Sequence, residues 1–386
     1  MPSALWAEIP AKNTPLASLN LAPIGSGPYK FKKYTVEKTG EVKSYILERN
    51  PDYFGQPAKI ELLIFKFYHD AQSAVTALQN QNIEGLSFVP NHLLEEIEKD
   101  RSINLLRSDA SQAVALFFNE EKQSLLKDKD IRKALAMAID KQEIVKTIFD
   151  NHASVIDSPM LSGEIGFNSE IAKISPDISA AIQLIKETDY TEVSANGYAA
   201  KKIQTTEDGQ TSETLEELTL ILTTISQPTF IKTAEIIAEQ AKKIGVKIQI
   251  EATEPSLLYE EVIKPRAYQI LLTATQHGLD PDPYPFWHSS QTKDPGLNLS
   301  LYGNRKVDEL LEKARTSGQT SERAEAYKEF QDIIAEDLPV IFLYQPTYAY
   351  AVSSKIKNIS LEKTQSPTDR FYDIENWYIK TKHVLK

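Results

Sequence analysis

The segment Gln276-His277-Gly278-Leu279-Asp280-Pro281-Asp282-Pro283 carries the side chains best suited to chemistry. It follows the apolar run Ile270 to Thr273, which predicts a buried strand, and ligand sites commonly lie at strand ends. Its histidine and two aspartates, with His288 nearby, offer imidazole and carboxylate ligands for a metal ion. In a simpler interpretation, Asp282 caps a short helix that opens at Pro283. Mixed His/Asp spacings arise often by chance, so we favour the cap and predict no metal.

The same carboxylates leave a catalytic alternative open, in which Asp280 and Asp282 or a glutamate act as the acid and base of a hydrolase. The sequence contains no nucleophile elbow, zinc motif or Ser-His-Asp order that would support it. It also contains no cysteine, which excludes disulfides, thiolate catalysis and Cys-based zinc sites. We predict no enzymatic activity and no cofactor.

Composition narrows the classes of protein further. The chain has 386 residues, too many for one compact core, so two or more domains are expected. Its formal net charge is -11 and it shows no basic stripe with interleaved aromatics, which argues against a nucleic-acid partner.

Periodicity predicts the elements that position these residues. The first part reads as a hairpin, a strand and a helix, over 29–34, 44–49, 60–67 and 70–79. The second part alternates strands and helices, which implies a sheet with covering helices. Its strands are predicted at 114–118, 218–222, 246–250, 270–273 and 340–344, with helices at 130–149 and 230–244 and two more around Leu310 and Phe330. The polar stretch 207–217 reads as a surface loop.

Four motifs in order resemble the large solute-binding proteins of peptide and nickel ABC importers, the extracellular solute-binding protein family 5. They are Gly25-Ser26-Gly27-Pro28-Tyr29 with Asn50-Pro51-Asp52-Tyr53-Phe54-Gly55; Phe118-Asn119 with Asp130 to Asp140; Asp280-Pro281-Asp282-Pro283 with Phe286-Trp287; and Val307 to Leu311 through Arg323, Tyr327 and Leu338-Pro339. The likeness spans nearly the whole chain. Within the second motif we interpret Asp130 as a helix cap or first-turn acid, and Arg132 and Asp140 as surface or interdomain pairs.

The resemblance implies an α/β fold of the type II periplasmic-binding-protein kind, with two lobes of mixed sheets covered by helices. It assigns 1–112 to the second segment of lobe I, 113–345 to lobe III and 346–386 to a C-terminal return to lobe I. Family members are longer, so lobe I is expected to be incomplete here. Domain II and the signal or lipoprotein segment are expected to be absent.

The resemblance also implies a solute site between the two lobes. In peptide-binding relatives an acidic residue of the Asp-Pro loop pairs with the peptide's α-amine; that position falls on Leu279, and Asp280 is the next residue. Gln276 stands where peptide binders often have tryptophan. For the aromatic residues, burial in the core is the competing interpretation. The candidate ligand-binding residues are Phe88, Ala115, Phe117, Phe118, Gln276, His277, Gly278, Leu279, Asp280, Asn298 and Tyr344, with Tyr348 as a further aromatic.

The function implied is capture of an oligopeptide or similar small solute and its delivery to the permease subunits of an ABC importer, without chemistry. The location implied is extracytoplasmic, either periplasmic or lipid-anchored on the outer face of the membrane. Besides the hydrolase, a structural fragment that binds no solute remains an alternative.

Overall fold

The computed structural model describes residues 3–207, 210–278, 280–361 and 365–379. The chain divides into two compact units. We call Asp109–Thr347 the continuous unit, and residues up to Ser108 together with those from Tyr348 onward the discontinuous unit. The divisions predicted at 112 and 345 lie close to these two points.

The discontinuous unit begins with short helical turns and an antiparallel sheet in the order β1-β2-β3. Asp70 caps the first long helix by accepting the backbone N–H of Ser73 at 2.7 Å. The elements in chain order are α1 (Ser3–Trp6), 3-10 helices Ala11–Leu16 and Ser18–Asn20, β1 (Tyr29–Val36), β2 (Val42–Arg49), β3 (Leu62–Lys66), α2 (Ala71–Gln79), β4 (Gly85–Ser87), α3 (Asn91–Glu98) and β5 (Ile103–Asp109).

The continuous unit alternates strands and helices, as predicted. Its elements are β6 (Gln112–Phe118), a 3-10 helix Ser124–Lys127, α4 (Lys129–Ala138), α5 (Lys141–Phe149), β7 (Ala153–Val155), α6 (Ile178–Lys186), β8 (Glu192–Val193), β9 (Ala199–Glu207), β10 (Gln210–Glu217), β11 (Thr219–Ile225), α7 (Pro228–Lys242), β12 (Lys247–Thr253), a π-helix Leu258–Ile263, β13 (Ile270–Gln276), α8 (Tyr284–Trp287), a 3-10 helix Ser289–Gln291, α9 (Arg305–Thr316), α10 (Thr320–Asp337) and β14 (Val340–Ser353).

A mixed sheet in the order β12-β11-β13-β6-β14 forms the centre of the continuous unit. Strand β11 runs parallel to β12 and β13, whereas β6 is antiparallel to both β13 and β14. Successive residues of β6 point to opposite faces, so Leu116 and Phe118 enter one hydrophobic core while Ala115 and Phe117 enter another. Both faces of the sheet are therefore apolar, and helices can pack on each of them.

The single helix predicted over 130–149 is wrong, because the chain forms α4 and α5 with a break between them. Ile139 has extended backbone angles, and Asp140 caps α5 by accepting the backbone N–H of Glu143 at 3.0 Å. The backbone N–H of Asp140 donates to Gln240 of α7. Asp140 is thus a helix cap and not a surface or interdomain pair. Asp130 does lie in the first turn of α4.

Arg132 also differs from its predicted surface or interdomain role. Its side chain is buried and donates to the carbonyl oxygens of Leu126, Asp337 and Leu338, and it contacts the Glu120 carboxylate at 3.1 Å. Burial is tolerated because the guanidinium finds acceptors for several of its N–H groups.

The loop predicted over 207–217 is also wrong, since β10 pairs with β9 in an antiparallel hairpin. Lys202 contacts Glu213 at 3.3 Å and Lys201 contacts Glu216 at 3.1 Å across the two strands. A strand stabilised by cross-strand charge pairs lacks the apolar alternation that a sequence search detects.

The C-terminal part returns to the discontinuous unit. Residues of β14 from Tyr350 to Val352 pair with β4, and Trp377 packs with Tyr350 in a small core. The remaining elements are β15 (Ile356–Lys357), 3-10 helices Pro367–Phe371 and Ile374–Asn376, and β16 (Tyr378–Ile379). Across the described ranges, no helix combines the length and apolarity needed to cross a membrane.

Candidate functional site

The Asp-Pro loop leaves the end of β13, where that strand pairs with the start of β6. Gln276 lies opposite Gln112, whose amide Nε2 donates to the Gln276 Oε1 at 2.9 Å. The Gln276 Nε2 and the His277 backbone N–H both donate to the Ser111 carbonyl oxygen, at 2.9 and 2.8 Å. The first residues of the loop are therefore fixed by the strand ends, although Gln276 and Gly278 remain exposed.

His277 is anchored by a carboxylate from a distant segment. Its Nδ1 lies 2.8 Å from the Glu164 Oε1, and both side chains are largely buried. The other oxygen of Glu164 accepts the backbone N–H of Leu161 at 2.7 Å. The imidazole also stacks on Phe286, with ring centres 6.2 Å apart. These contacts fix the orientation of the ring and occupy one of its two nitrogens.

Asp280 pairs with an arginine of α10. The Arg323 Nη2 donates to the Asp280 Oδ1 at 2.6 Å, and the guanidinium lies over the Tyr327 ring, 5.8 Å from its centre. The Asp280 side chain is 67% exposed, whereas that of Arg323 is 21% exposed. Hydrogen bonds to Tyr327 and then to Asp280 raise the pKa of the Arg323 guanidinium, while burial raises the pKa of Tyr327.

Asp282 supports the start of α8, as the cap interpretation predicted. Its Oδ1 accepts the backbone N–H of Tyr284 at 3.1 Å, and its Oδ2 accepts from the Arg315 Nε at 2.8 Å. The Arg315 guanidinium stacks on the Tyr284 ring, 4.1 Å from its centre. Both oxygens of Asp282 are therefore committed to contacts within the continuous unit.

The histidines and aspartates of this region do not gather around one point. His288 is buried against Tyr284, and its two nitrogens contact Ser290 and Glu312. In the part of the chain that the structure describes, no three His, Asp or Glu side chains are grouped to hold a metal ion. The metal interpretation of the loop therefore has no geometric support.

A narrow recess lies beside the loop, with Met160, Glu164, His277, Gly278 and Phe286 among its lining residues. Its interior has room for about one water molecule. The recess alone does not accommodate a peptide, so any solute that contacts this loop meets its exposed outer surface.

Several predicted ligand-binding residues lie inside the hydrophobic cores. Ala115 and Phe117 belong to one core of the continuous unit, and Phe118 and Tyr344 to the other, where all four are buried. Tyr344 contacts Phe149 and its hydroxyl lies 3.2 Å from the Thr233 hydroxyl. For these four residues the core interpretation describes what the structure shows.

Asn298 does not face a cleft as expected, because its side chain is completely buried. Its amide Nδ2 donates to the carbonyl oxygens of Trp287, His288 and Tyr302, and its Oδ1 accepts the backbone N–H of Tyr302. These hydrogen bonds hold the loop after α8 in place.

Phe88 lies in the discontinuous unit, directly after β4. Its side chain is 65% exposed, its φ is 60°, and its ring edge contacts buried Tyr348 at 5.6 Å between centres. A bulky residue in the left-handed region is uncommon, and such positions concentrate at functional sites. Leu279 lies outside the described residues.

Sequence reasoning missed the partners that hold the loop: Glu164, Arg315 and Arg323. Arg323 belongs to a motif of the resemblance, but its contact with Asp280 joins positions 43 residues apart. The available signal for the two arginines was the charge of the loop itself, since a cation near two aspartates offsets the repulsion between their carboxylates.

The family model for bacterial extracellular solute-binding proteins, family 5 Middle, matches residues 2–297. The chain belongs to this family. The oligopeptide-binding protein AppA of Bacillus subtilis is 29% identical over 381 residues, which cover 95% of this chain and 65% of AppA. The peptide transport periplasmic protein SapA of Haemophilus influenzae is 27% identical over 357 residues, covering 90% and 57%. The chain thus spans less than two thirds of the length of these relatives.

Solved structures of family members are similar to the whole chain. Bacillus subtilis AppA in complex with a nonapeptide matches with a TM-score of 0.75 at 26% identity, covering 99% of this chain and 72% of AppA. NikZ from Campylobacter jejuni in complex with Ni(L-His) matches with a TM-score of 0.76 at 26% identity, covering 98% and 72%. The type II periplasmic-binding-protein fold implied by the sequence is thereby confirmed.

Proposed function

We propose that this chain acts as the solute-binding component of an ABC importer. It binds an oligopeptide or similar small solute outside the cytoplasm, in the periplasm or attached by a lipid to the outer face of the membrane, and delivers it to the permease subunits. Membership of family 5 supports this role. So do the complexes of two relatives, AppA with a nonapeptide and NikZ with Ni(L-His).

The observation that carries the proposal is the exposed loop at the end of β13. Gln276, Gly278 and Asp280 are exposed, and the bonds that Gln276 and Asp280 make to neighbouring side chains hold them in place. His277 and Asp282 are held by buried or paired contacts. Polar side chains that are already held in place bind a ligand at low entropic cost, because they lose little conformational freedom on binding. We assign the loop residues 276–280 to solute binding.

Phe88 is the second proposed contact. An exposed phenylalanine offers apolar area and an aromatic face to a solute. Its left-handed backbone and its edge contact with Tyr348 hold the ring outward, where a solute can contact it.

The contacts of the loop support a hydrolase less than they support a solute-binding protein. Asp280 and Asp282 each pair with a different arginine, and in the described residues neither bonds to a histidine or to a nucleophile. An acid–base pair needs two carboxylates poised on one reacting bond. The family is one of binding proteins, which agrees with binding as the primary role.

Calorimetric titration of the chain with a synthetic mixture of tripeptides to nonapeptides tests the proposal. We expect saturable heat and full recovery of the peptides by dialysis. Titration without any saturable heat, for the wild-type chain in a folded state by circular dichroism, would reject peptide binding. Phe88→Ala is expected to weaken binding, whereas Tyr372→Ala, at a more exposed aromatic residue elsewhere in the same unit, serves as its control.

A further inference from the structure

Asp280, which we assign to solute binding, already pairs with a cationic side chain. The Arg323 Nη2 lies 2.6 Å from its Oδ1, and among the residues that the structure describes this is the one hydrogen bond Asp280 makes. An ammonium group that reaches Asp280 therefore meets a carboxylate whose charge is offset by a guanidinium.

Arg323 is the less mobile member of the pair. Its side chain is mostly buried, its guanidinium lies over the Tyr327 ring, and its Nη2 also lies 3.5 Å from the Tyr327 hydroxyl. The stem is fixed by α10, whereas Asp280 is on an exposed loop. A solute that pairs with Asp280 consequently cannot push the arginine far away.

The Arg323 Nε is buried and has no partner in the described part of the chain. An unsatisfied N–H on a charged group is unfavourable, so the guanidinium keeps capacity for a further acceptor. Because the Nε is buried, a solute cannot supply that acceptor, and Asp280 remains the exposed partner of the guanidinium.

We propose that Arg323 is a specificity-determining residue that competes with the solute's amino group for Asp280; this inference rests on the proposed function. Two cations on one exposed carboxylate repel each other at contact distances, and repulsion against a competing ligand is a common source of specificity. Arg323 thereby lowers the affinity for peptides with a free amino terminus. Peptides whose amino end is blocked, and solutes with an uncharged polar end, are not penalised.

The Arg305–Glu309 pair provides the control. Both residues lie on the neighbouring helix α9, and the Arg305 Nε contacts the Glu309 Oε1 at 3.0 Å between exposed side chains. This pair is separate from the contacts that hold the loop. Arg305→Gln therefore removes the same charge as Arg323→Gln and leaves the contacts of Asp280 and Asp282 in place.

The test compares two synthetic tripeptide-to-nonapeptide mixtures of the same composition, one with free and one with acetylated amino termini. We expect Arg323→Gln to bind the free-amino mixture about fivefold more tightly than the wild-type chain does. A change of this size corresponds to the free energy of one exposed ion pair. Binding of the acetylated mixture should be unchanged. Arg305→Gln should change the binding of neither mixture by more than about twofold.

Weaker binding of free-amino peptides by Arg323→Gln, or an equal change for both mixtures, would overturn the inference, since a structural role affects both alike. Should Arg323→Gln fail to fold, Arg323→Met keeps the apolar stem over Tyr327 and carries the same expectation. In an Asp280→Asn background the Arg323 effect should vanish. Binding of neither mixture by the wild-type chain would overturn the proposed function, and the inference with it.

Discussion

Arg132 and Leu338 are 206 positions apart, yet the Arg132 Nε donates to the Leu338 carbonyl oxygen at 3.0 Å. Leu338 ends α10 with a left-handed backbone, so its carbonyl and that of Asp337 are not used within the helix. The arginine of α4 therefore caps the C-terminus of α10 and joins the two helices.

Arg132→Lys is expected to lower the free energy of unfolding by about 2–4 kcal/mol. A lysine keeps the charge but cannot reach three carbonyl oxygens with one ammonium group, so buried acceptors lose their donors. Urea unfolding followed by circular dichroism measures the loss. Arg305→Lys, at a 93% exposed side chain, should change the value by less than about 0.5 kcal/mol. Equal effects of the two substitutions would show that Arg132 does not have this role.

Contacts between residues that are far apart in the sequence could not be predicted from the sequence. The hairpin of β1 and β2, helix α2 and the central strands were predicted because alternation and helical periodicity are local signals. The break between α4 and α5 was missed because Asp140 fits an amphipathic helix pattern and a cap equally well. Only the partner at Gln240, far along the chain, distinguishes them.

Glu217 makes stability depend on pH. Its carboxylate accepts from the Lys247 Nζ at 2.8 Å and from Asn196 and Ser194, each at 2.9 Å. These bonds, that of Lys247 above all, lower its pKa from 4.5 to about 2. Since the pKa is lowered on folding, the stabilisation is complete above about pH 4.5 and is lost as the pH falls through about 2.

Glu217→Gln should therefore be less stable than the wild type at pH 7, and the difference should shrink between pH 4.5 and pH 2. Urea midpoints measured at several pH values in this range check the expectation. Glu309→Gln, which removes an exposed carboxylate paired with Arg305, provides the comparison. A constant difference between wild type and Glu217→Gln down to pH 2 would contradict the role given to the carboxylate.

Strand β3 is expected to promote self-association of this chain. It pairs with β2 on one side, and its other edge is unpaired within the described ranges. Leu62 and Ile64 are exposed along it, and apolar strand edges attract other chains.

Ile64→Lys should reduce association at tens of micromolar, because a charge on an edge strand opposes pairing with a second chain. Light scattering at increasing concentration measures this. Leu257→Lys adds the same charge at an exposed apolar residue outside the strands and should have little effect. Association that is unchanged by Ile64→Lys would exclude the β3 edge as its cause.

Asp280→Asn is expected to weaken binding of free-amino peptides by about 1.5 kcal/mol, the lower end for a hydrogen bond to a charged group, because the site is exposed. Calorimetry of the wild-type and variant chains checks it. Glu309→Gln removes an exposed negative charge that is paired with Arg305 and should leave affinity unchanged. Wild-type affinity in Asp280→Asn would remove Asp280 from the solute site.

The site was partly accessible from sequence. The loop after β13 was identified because strand ends and Asp-Pro pairs are local features, and its residues Gln276, Gly278 and Asp280 are exposed there. Phe117 and Phe118 were harder to place because an aromatic residue in a strand looks the same whether it faces a core or a ligand. The pairing of Asp280 with Arg323 depends on how α10 packs beside the loop, which no local pattern encodes.

Native mass spectrometry of the chain after incubation with the free-amino peptide mixture tests the central claim most directly. The account predicts complexes of one chain with one peptide, and peptides that leave the complex with their masses unchanged. Absence of any complex at peptide concentrations up to the millimolar range, or recovery of cleaved peptides, would contradict a protein that binds its solute without chemistry.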